Sequence, residues 1–324
     1  MTTRRVAAWY LFAASALPIA AEAAQTPEWP ARPVRVIVPM GPGGGSDIVA
    51  RMMSAKLTEA FGQQFVVDNR GGGGGLIGIG LAVRSSPDGY TLMLISGSVP
   101  ATVAANKPSF EVIGALTGVA RVAYSPLCLV VHPSLPVAST KEFIDYARSR
   151  DGKLSFVVPG VGSLTHLATE YMMTLTRIRM QHVPYKSTGL GMNDLLTGQV
   201  QVMMTGLSPV VPHVQAGKLR ALAVTTAARW PGQPQIPALS EALPGFDVES
   251  WFAFVAPRGT PADVVRRINA ELNRQLKDGE FRKLIDARGL APAGGPPEDV
   301  DRRMKSEVER WGKIIKDANI AVTP

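Results

Sequence analysis

The chain has 324 residues, a net charge of +8, 46% hydrophobic and 19% charged residues, and one cysteine. That length admits two domains, and the lone cysteine excludes a disulfide within the chain. The basic balance favours anionic partners without by itself indicating nucleic acid, and beyond the N-terminus no apolar stretch is long enough to span a bilayer.

Met1 to Ala24 reads as a cleaved export signal. Arg4 and Arg5 form the charged start, Val6 to Ala20 is mostly apolar, and Ala21-Glu22-Ala23 is an A-x-A cleavage site. The apolar run is short and alanine-rich, a poor membrane anchor. No cysteine follows the site to take a lipid. The expected product is a soluble exported protein of roughly 300 residues. Cleavage after Ala23 would remove two arginines and one glutamate, taking the charge from +8 to +7.

The stretch Pro33 to Arg51, PVRVIVPMGPGGGSDIVAR, is the one around which the chain is organised. Val34 to Val38 is an apolar strand, Pro39 stops it, and a glycine-rich loop leads into a helix that Ser46 or Asp47 would cap. Gly43, Gly44 and Gly45 carry no Cβ to hold a ligand away, and the helix start aims unpaired N–H groups at the same place. The plain alternative is a tight turn, but three consecutive glycines favour an anion cradle. No Gly-Lys-Ser/Thr comes after them, so this is no nucleotide loop of the P-loop type.

Phe65 to Val67 is a second strand. Gly73 to Gly78 then matches G-x-G-x-x-G, but no acidic residue ends a strand about 20 residues on, and we read a loop into a short helix. Thr91 to Ile95 is a third strand ending in Ser96-Gly97-Ser98. Such alternation predicts an α/β domain with a parallel sheet, whose ligands sit beyond the strands' carboxyl ends.

The device recurs in the second half. Leu154 to Val158 leads through Pro159-Gly160-Val161-Gly162-Ser163 into a helix from Leu164 to Met173, capped by Ser163. Met180 to Val183 leads through Tyr185 to Gly189, with Ser187 and Thr188, into a helix from Leu190 to Leu196. Val200 to Met204 leads through Thr205-Gly206 towards a helix from Pro209 to Ala216. Small, hydroxylated helix starts in both halves predict two lobes that close across a cleft on an anionic ligand.

Catalytic signals are sparse. G-x-S-x-G, H-E-x-x-H and C-x-x-C are all absent. His166 and Glu170 stand four apart and could share a metal, but the sequence supplies no third ligand, and we expect neither metal nor cofactor. His166 is a pocket or cap residue or a purely structural histidine. His132, His182 and His213 read as core or surface, Met172-Met173 and Met203-Met204 as core, and Cys128 in its apolar run as a buried inert thiol. The alternative function is an α/β enzyme, a NAD-dependent reductase or a hydrolase. No DNA-binding motif is present, and the export signal points away from nucleic acid.

The segments WPARPVRVIVPMGPGGGSDIVARMM, FVVDNRGGGGGLIG, SPDGYTLM, LVVHPSLPVAST, VPYKSTGLGMNDLLTGQVQVMM, PHVQAGKLRALAVT, WFAFVAPRGTPADVV and ERWGKIIKDANI resemble, in order and over nearly the whole mature length, the Bug family. These are periplasmic solute-binding proteins, the receptors of tripartite tricarboxylate transporters. The resemblance implies a two-lobe, type II periplasmic-binding-protein fold (a Venus flytrap). It implies a periplasmic monomer that takes a small organic carboxylate through main-chain N–H groups and small hydroxyls and passes it to membrane permease subunits or a sensor. By position it places first-lobe contacts on Met40 to Asp47, with Gly41 among them, and second-lobe contacts on Gly162, Ser163, His166, Thr188 and Gly189. Met40 stands where the family usually has an aromatic residue. Thr205-Gly206 stands where members taking amino acids carry an acid, which argues against a ligand with an ammonium group. The segment after Ser98 is shorter than usual. Lobe one would span 25–124 plus 251–324 and lobe two 125–250, with hinge strands near Ser125 to Leu129 and Val248 to Phe252. A helix from Pro261 to Lys277, opened by a Thr260 cap, and the helix from Pro297 to Asp317 would pack on lobe one.

Overall fold

A computed structural model describes residues 29–320, so the export signal expected over 1–24 lies outside the described residues. Strands and helices alternate: β1 (Val34–Val38), α1 (Gly45–Phe61), β2 (Phe65–Asn69), α2 (Leu76–Val83), β3 (Thr91–Ser96), α3 (Ser98–Asn106), β4 (Leu116–Val131), α4 (Thr140–Arg150), β5 (Ser155–Val158) and α5 (Leu164–Thr176). After these come β6 (Gln181–Pro184), α6 (Thr188–Leu196), β7 (Val202–Gly206), α7 (Leu207–Gln215), β8 (Arg220–Val224), β9 (Glu249–Pro257), α8 (Ala262–Gln275), α9 (Gly279–Asp286), β10 (Ala291–Pro292) and α10 (Pro297–Asp317). Among the described residues no helix is long and apolar enough to cross a membrane.

The strands form two sheets, one per lobe, joined through β4. The first runs β2-β1-β3-β9-β4 with β10 beside β4, and the second holds β7, β5, β6 and β8. β1 lies parallel between β2 and β3, and β5 lies parallel between β6 and β7. Helices cover both faces, which is why β1 is apolar apart from Arg35, which pairs with Asp68: Val36 and Val38 pack into one core with Met53, Leu57, Phe254 and Ile268, and Ile37 into the other with Ile79, Met93 and Trp251.

β4 runs from one sheet into the other, and the chain returns to the first sheet through Val248, just before β9. Up to Pro126, β4 pairs with β9; from Leu127 onward it pairs with β7 and β8. Thr225, fully buried, ties both crossings together. Its N–H donates to Leu127 O at 3.0 Å and its carbonyl accepts from Val248 N at 2.9 Å. Its hydroxyl accepts from Leu127 N at 2.9 Å and donates to Val248 O at 2.6 Å. Four backbone groups of the crossing strands thus depend on one threonine.

Two expectations change. α10 does not stay with the first lobe: Val300 and Met304 pack there, but Trp311 joins the second lobe's core with Phe143, Phe246 and Leu127. Its apolar stripe is long enough to serve both. Arg303 meets Glu249 at 3.5 Å and Arg310 donates to Asp247 O, so α10 also grips the chain where it crosses. Thr260 does not cap α8; Pro261 holds the N-cap position and the Thr260 hydroxyl donates to Pro257 O at 2.8 Å.

Replacing Thr225 with Val keeps the shape and removes the hydroxyl, leaving the buried Leu127 N–H without its partner. Chemical denaturation should show a loss of about 1–3 kcal/mol. An unchanged midpoint would mean the crossings are held by something else.

Candidate functional site

Each lobe's parallel strands end at the same side of their sheet, and the next helices start there. Between the lobes these starts line one cavity, with about 470 Å³ of atom-free space including its open part. Gly44, Gly45 and Ser46 come from the start of α1, Ser98 from α3, Leu164 and Thr165 from α5, Thr188 from α6, and Gly206, the last residue of β7, from the N-cap of α7. Five helix starts therefore meet at one space, each with the positive end of its dipole, although Ser98 N already donates to Ser96 Oγ and Leu164 N to Ser98 Oγ, each at 3.4 Å. Met40, Ser96, Leu127, Pro159, Thr205, Ser250 and Phe252 complete the wall.

The first loop differs from expectation in one respect. Neither Ser46 nor Asp47 caps α1; Gly44 occupies the N-cap position without a side-chain bond. Asp47 lies at the third helical position, where its Oδ2 accepts Gly43 N–H at 3.1 Å and its Oδ1 meets Arg51 Nε at 3.0 Å. The Gly43 amide is therefore committed to Asp47, and neither residue lines the cavity. The donors left for a ligand are those of Gly44, Gly45 and Ser46.

In the second lobe Ser163 and Ser187 act as caps, accepting from His166 N at 3.4 Å and Leu190 N at 3.2 Å. Neither lines the cavity; Leu164 and Thr165 after the first and Thr188 after the second do. His166 is 2% exposed and lies behind the wall with its Nδ1 accepting Gly162 N–H at 3.1 Å. Gly41, Gly162 and Gly189 also stay off the wall and meet the opposite lobe instead. A Cβ on Gly41 would collide with Ser187 and lie 2.9 Å from Lys186 O; one on Gly44 would lie 3.0 Å from Thr188 Oγ1. Leu164 N donates to Ser98 Oγ at 3.4 Å, one lobe to the other. The lobes are in contact through backbone, and only glycine fits at these crossings.

Sequence reasoning named Met40, Gly44, Gly45, Ser46, Ser96, Ser98, Thr188, Thr205 and Gly206, which the fold brings to the cavity. It missed Leu127, Pro159, Leu164, Thr165, Ser250 and Phe252. Thr165 was open to recognition as the second residue of a capped helix. Leu127, Ser250 and Phe252 sit on the crossing strands, where no local pattern marks a wall.

The chemistry of the wall is uniform. None of its side chains is ionisable, so negative charge would be met by N–H and O–H dipoles alone. Cys128 is fully buried, and burial pushes its thiol up to about 12.

The family described as "Tripartite tricarboxylate transporter family receptor" matches residues 49–320. Protein BugT of Bordetella pertussis is 34% identical, with 97% of each chain covered. The R. palustris protein Rpa4515, solved with adipate, is 37% identical, with a TM-score of 0.87 over 91% of this chain and 99% of its own. MatC of Rhodopseudomonas palustris, solved with bound malate, is 29% identical, with a TM-score of 0.84 over 89% of this chain and 100% of its own. The chain belongs to the tripartite tricarboxylate transporter receptor family.

With its titration pushed up to about 12, the Cys128 thiol stays protonated at every pH below that range. A disulfide reagent at about pH 8 should leave the native protein unlabelled and react only once denaturant opens the second lobe. Rapid labelling of the folded protein would contradict this.

Proposed function

We propose that this member of the receptor family is a non-enzymatic solute-binding protein that captures a small organic carboxylate between its lobes. The observation that carries the reading is the meeting of five helix starts at one cavity without a single ionisable side chain on its wall. Such a site stabilises oxyanions by fixed dipoles, and its wall carries no ionisable side chain to activate the hydroxyls as nucleophiles. The adipate and malate held by similar proteins support a mono- or dicarboxylate of a few carbons. Apolar Met40, Leu127, Leu164 and Phe252 would face the carbon chain between polar ends. With no acid on the wall, an ammonium group would lose its hydration without gaining a counter-charge.

Delivery would be to membrane permease subunits of a tripartite transporter or to a sensor, from the periplasm, after cleavage of the export signal. We assign 25–124 with 251–324 to lobe one and 125–250 to lobe two, with the second half of α10 reaching across, and take the protein to act as a monomer.

Titration calorimetry with aliphatic and aromatic carboxylates should find binding of at least one, adipate and malate being the first probes. Zwitterionic amino acids of equal length should bind at least about tenfold more weakly, the equivalent of 1.4 kcal/mol. Silence across a chemically broad carboxylate panel would remove the capture role. Gly41→Ala places a methyl group where Ser187 sits on closure and should cost about 1–3 kcal/mol of affinity, with circular dichroism unchanged. Unaltered affinity would mean that closure does not bring Gly41 to Ser187.

A further inference from the structure

Behind the cavity wall His166, Glu170 and His182 place ligand-type atoms within 4.8 Å of one another, an arrangement that resembles a two-histidine, one-carboxylate metal centre. One hydrogen bond decides against that reading. Gly162 N–H donates to His166 Nδ1 at 3.1 Å, so the neutral ring carries its proton on Nε2, which faces Glu170 Oε1 at 3.6 Å. A metal on Nε2 would need the proton on Nδ1, pointing at the Gly162 N–H, donor against donor.

The same bond has a different use. Gly162 belongs to one of the loops by which the second lobe touches the first. A Cβ on Gly160 would come 3.1 Å from Gly74 Cα, and one on Gly162 would collide with Asn106 and lie 3.0 Å from Ala105 Cβ. The loop feeds directly into Leu164 and Thr165 of the cavity wall. His166 itself is fixed by stacking on Phe156 of β5, with ring centroids 6.5 Å apart and planes at 17°. The ionisable groups facing it are Glu170, one turn on along α5, and His182 of β6, whose ring meets it edge-on at 6.1 Å. A doubly protonated ring donates at both nitrogens: Glu170 can receive one proton, but the Gly162 N–H then loses its acceptor and faces a second donor.

We propose that His166 is a positioning residue of the cleft: its bare Nδ1 holds the Gly162 amide and keeps the loop closed on the first lobe, and a second proton on the ring releases the loop and weakens ligand capture. This rests on the carboxylate-capture reading for its ligand readout, but not for its tautomer. The bound, closed form then holds fewer protons than the open one, so affinity falls as pH falls.

The test has two arms. In protein labelled with nitrogen-15, nuclear magnetic resonance without ligand should find His166 as the Nε2–H tautomer at about pH 8, and the Gly162 amide signal should move with His166 protonation. An Nδ1–H tautomer, or an indifferent Gly162 amide, overturns the proposal. Calorimetry with adipate should show wild type losing about tenfold more affinity than His166→Asn between about pH 8 and about pH 5. Asparagine supplies an amide oxygen near the Nδ1 position and cannot take the second proton, so its own binding at the higher pH should stay within a few-fold of wild type. His166→Leu removes the acceptor and should bind about tenfold more weakly at either pH. Parallel pH profiles for wild type and His166→Asn overturn the proposal. Should wild type ignore adipate at every pH, the capture reading loses that ligand while the tautomer arm still decides the role of His166.

Discussion

The structure depends on unpaired backbone amides at the beginnings of helices, gathered where two lobes meet. Every α-helix begins with N–H groups that its own turns cannot satisfy, and a parallel sheet collects such beginnings at one edge. Here α1 and α3 bring theirs from the first lobe and α5, α6 and α7 from the second. A carboxylate can be held by this arrangement without a lysine or arginine, because fixed dipoles cost little reorganisation when the charge arrives. The absence of a cation on the wall leaves selectivity to cavity shape and to the hydroxyls of Ser46, Ser96, Ser98, Thr165, Thr188, Thr205 and Ser250.

Bringing helix starts from two lobes so close is a steric problem, and glycine solves it. Gly41 and Gly44 let the first loop approach Ser187 and Thr188 to distances that a side chain would forbid. The other side of the cleft is held by Thr225, whose backbone and hydroxyl fasten both crossing strands, and by α10, whose second half anchors Trp311 in the far lobe. In this arrangement the lobes meet, with Leu164 N of the second donating to Ser98 Oγ of the first.

Much of this was legible in the sequence because it is local. The run from Val34 to Arg51 announces strand, turn and helix by its apolar pattern and its glycines, and the same pattern recurs around Ser163 and Ser187. What escaped was non-local or turned on a single helical step. Asp47 and the cap position differ by three residues, and only the fold shows that its carboxylate reaches back to Gly43. Thr165 and His166 are neighbours, yet about 100° of helix rotation puts one on the wall and the other in the core. The stripe containing Val300, Met304 and Trp311 says that a face of α10 is buried, not that two different cores share it. Of β4 only Ser125 to Leu129 was expected, as a hinge strand implied by the family resemblance, and register shifts between Gly118 and Ala120 and between Arg121 and Ala123 break the alternation of its earlier half.

The most direct measurement is a crystal structure with the tightest-binding carboxylate in place. The account predicts at least one carboxylate oxygen about 2.7–3.1 Å from the amide nitrogens of Gly44, Gly45 or Ser46, with the opposite end of the ligand meeting Thr165, Thr188 or Thr205. A ligand whose carboxylates pair with arginine or lysine side chains outside this cavity would contradict it.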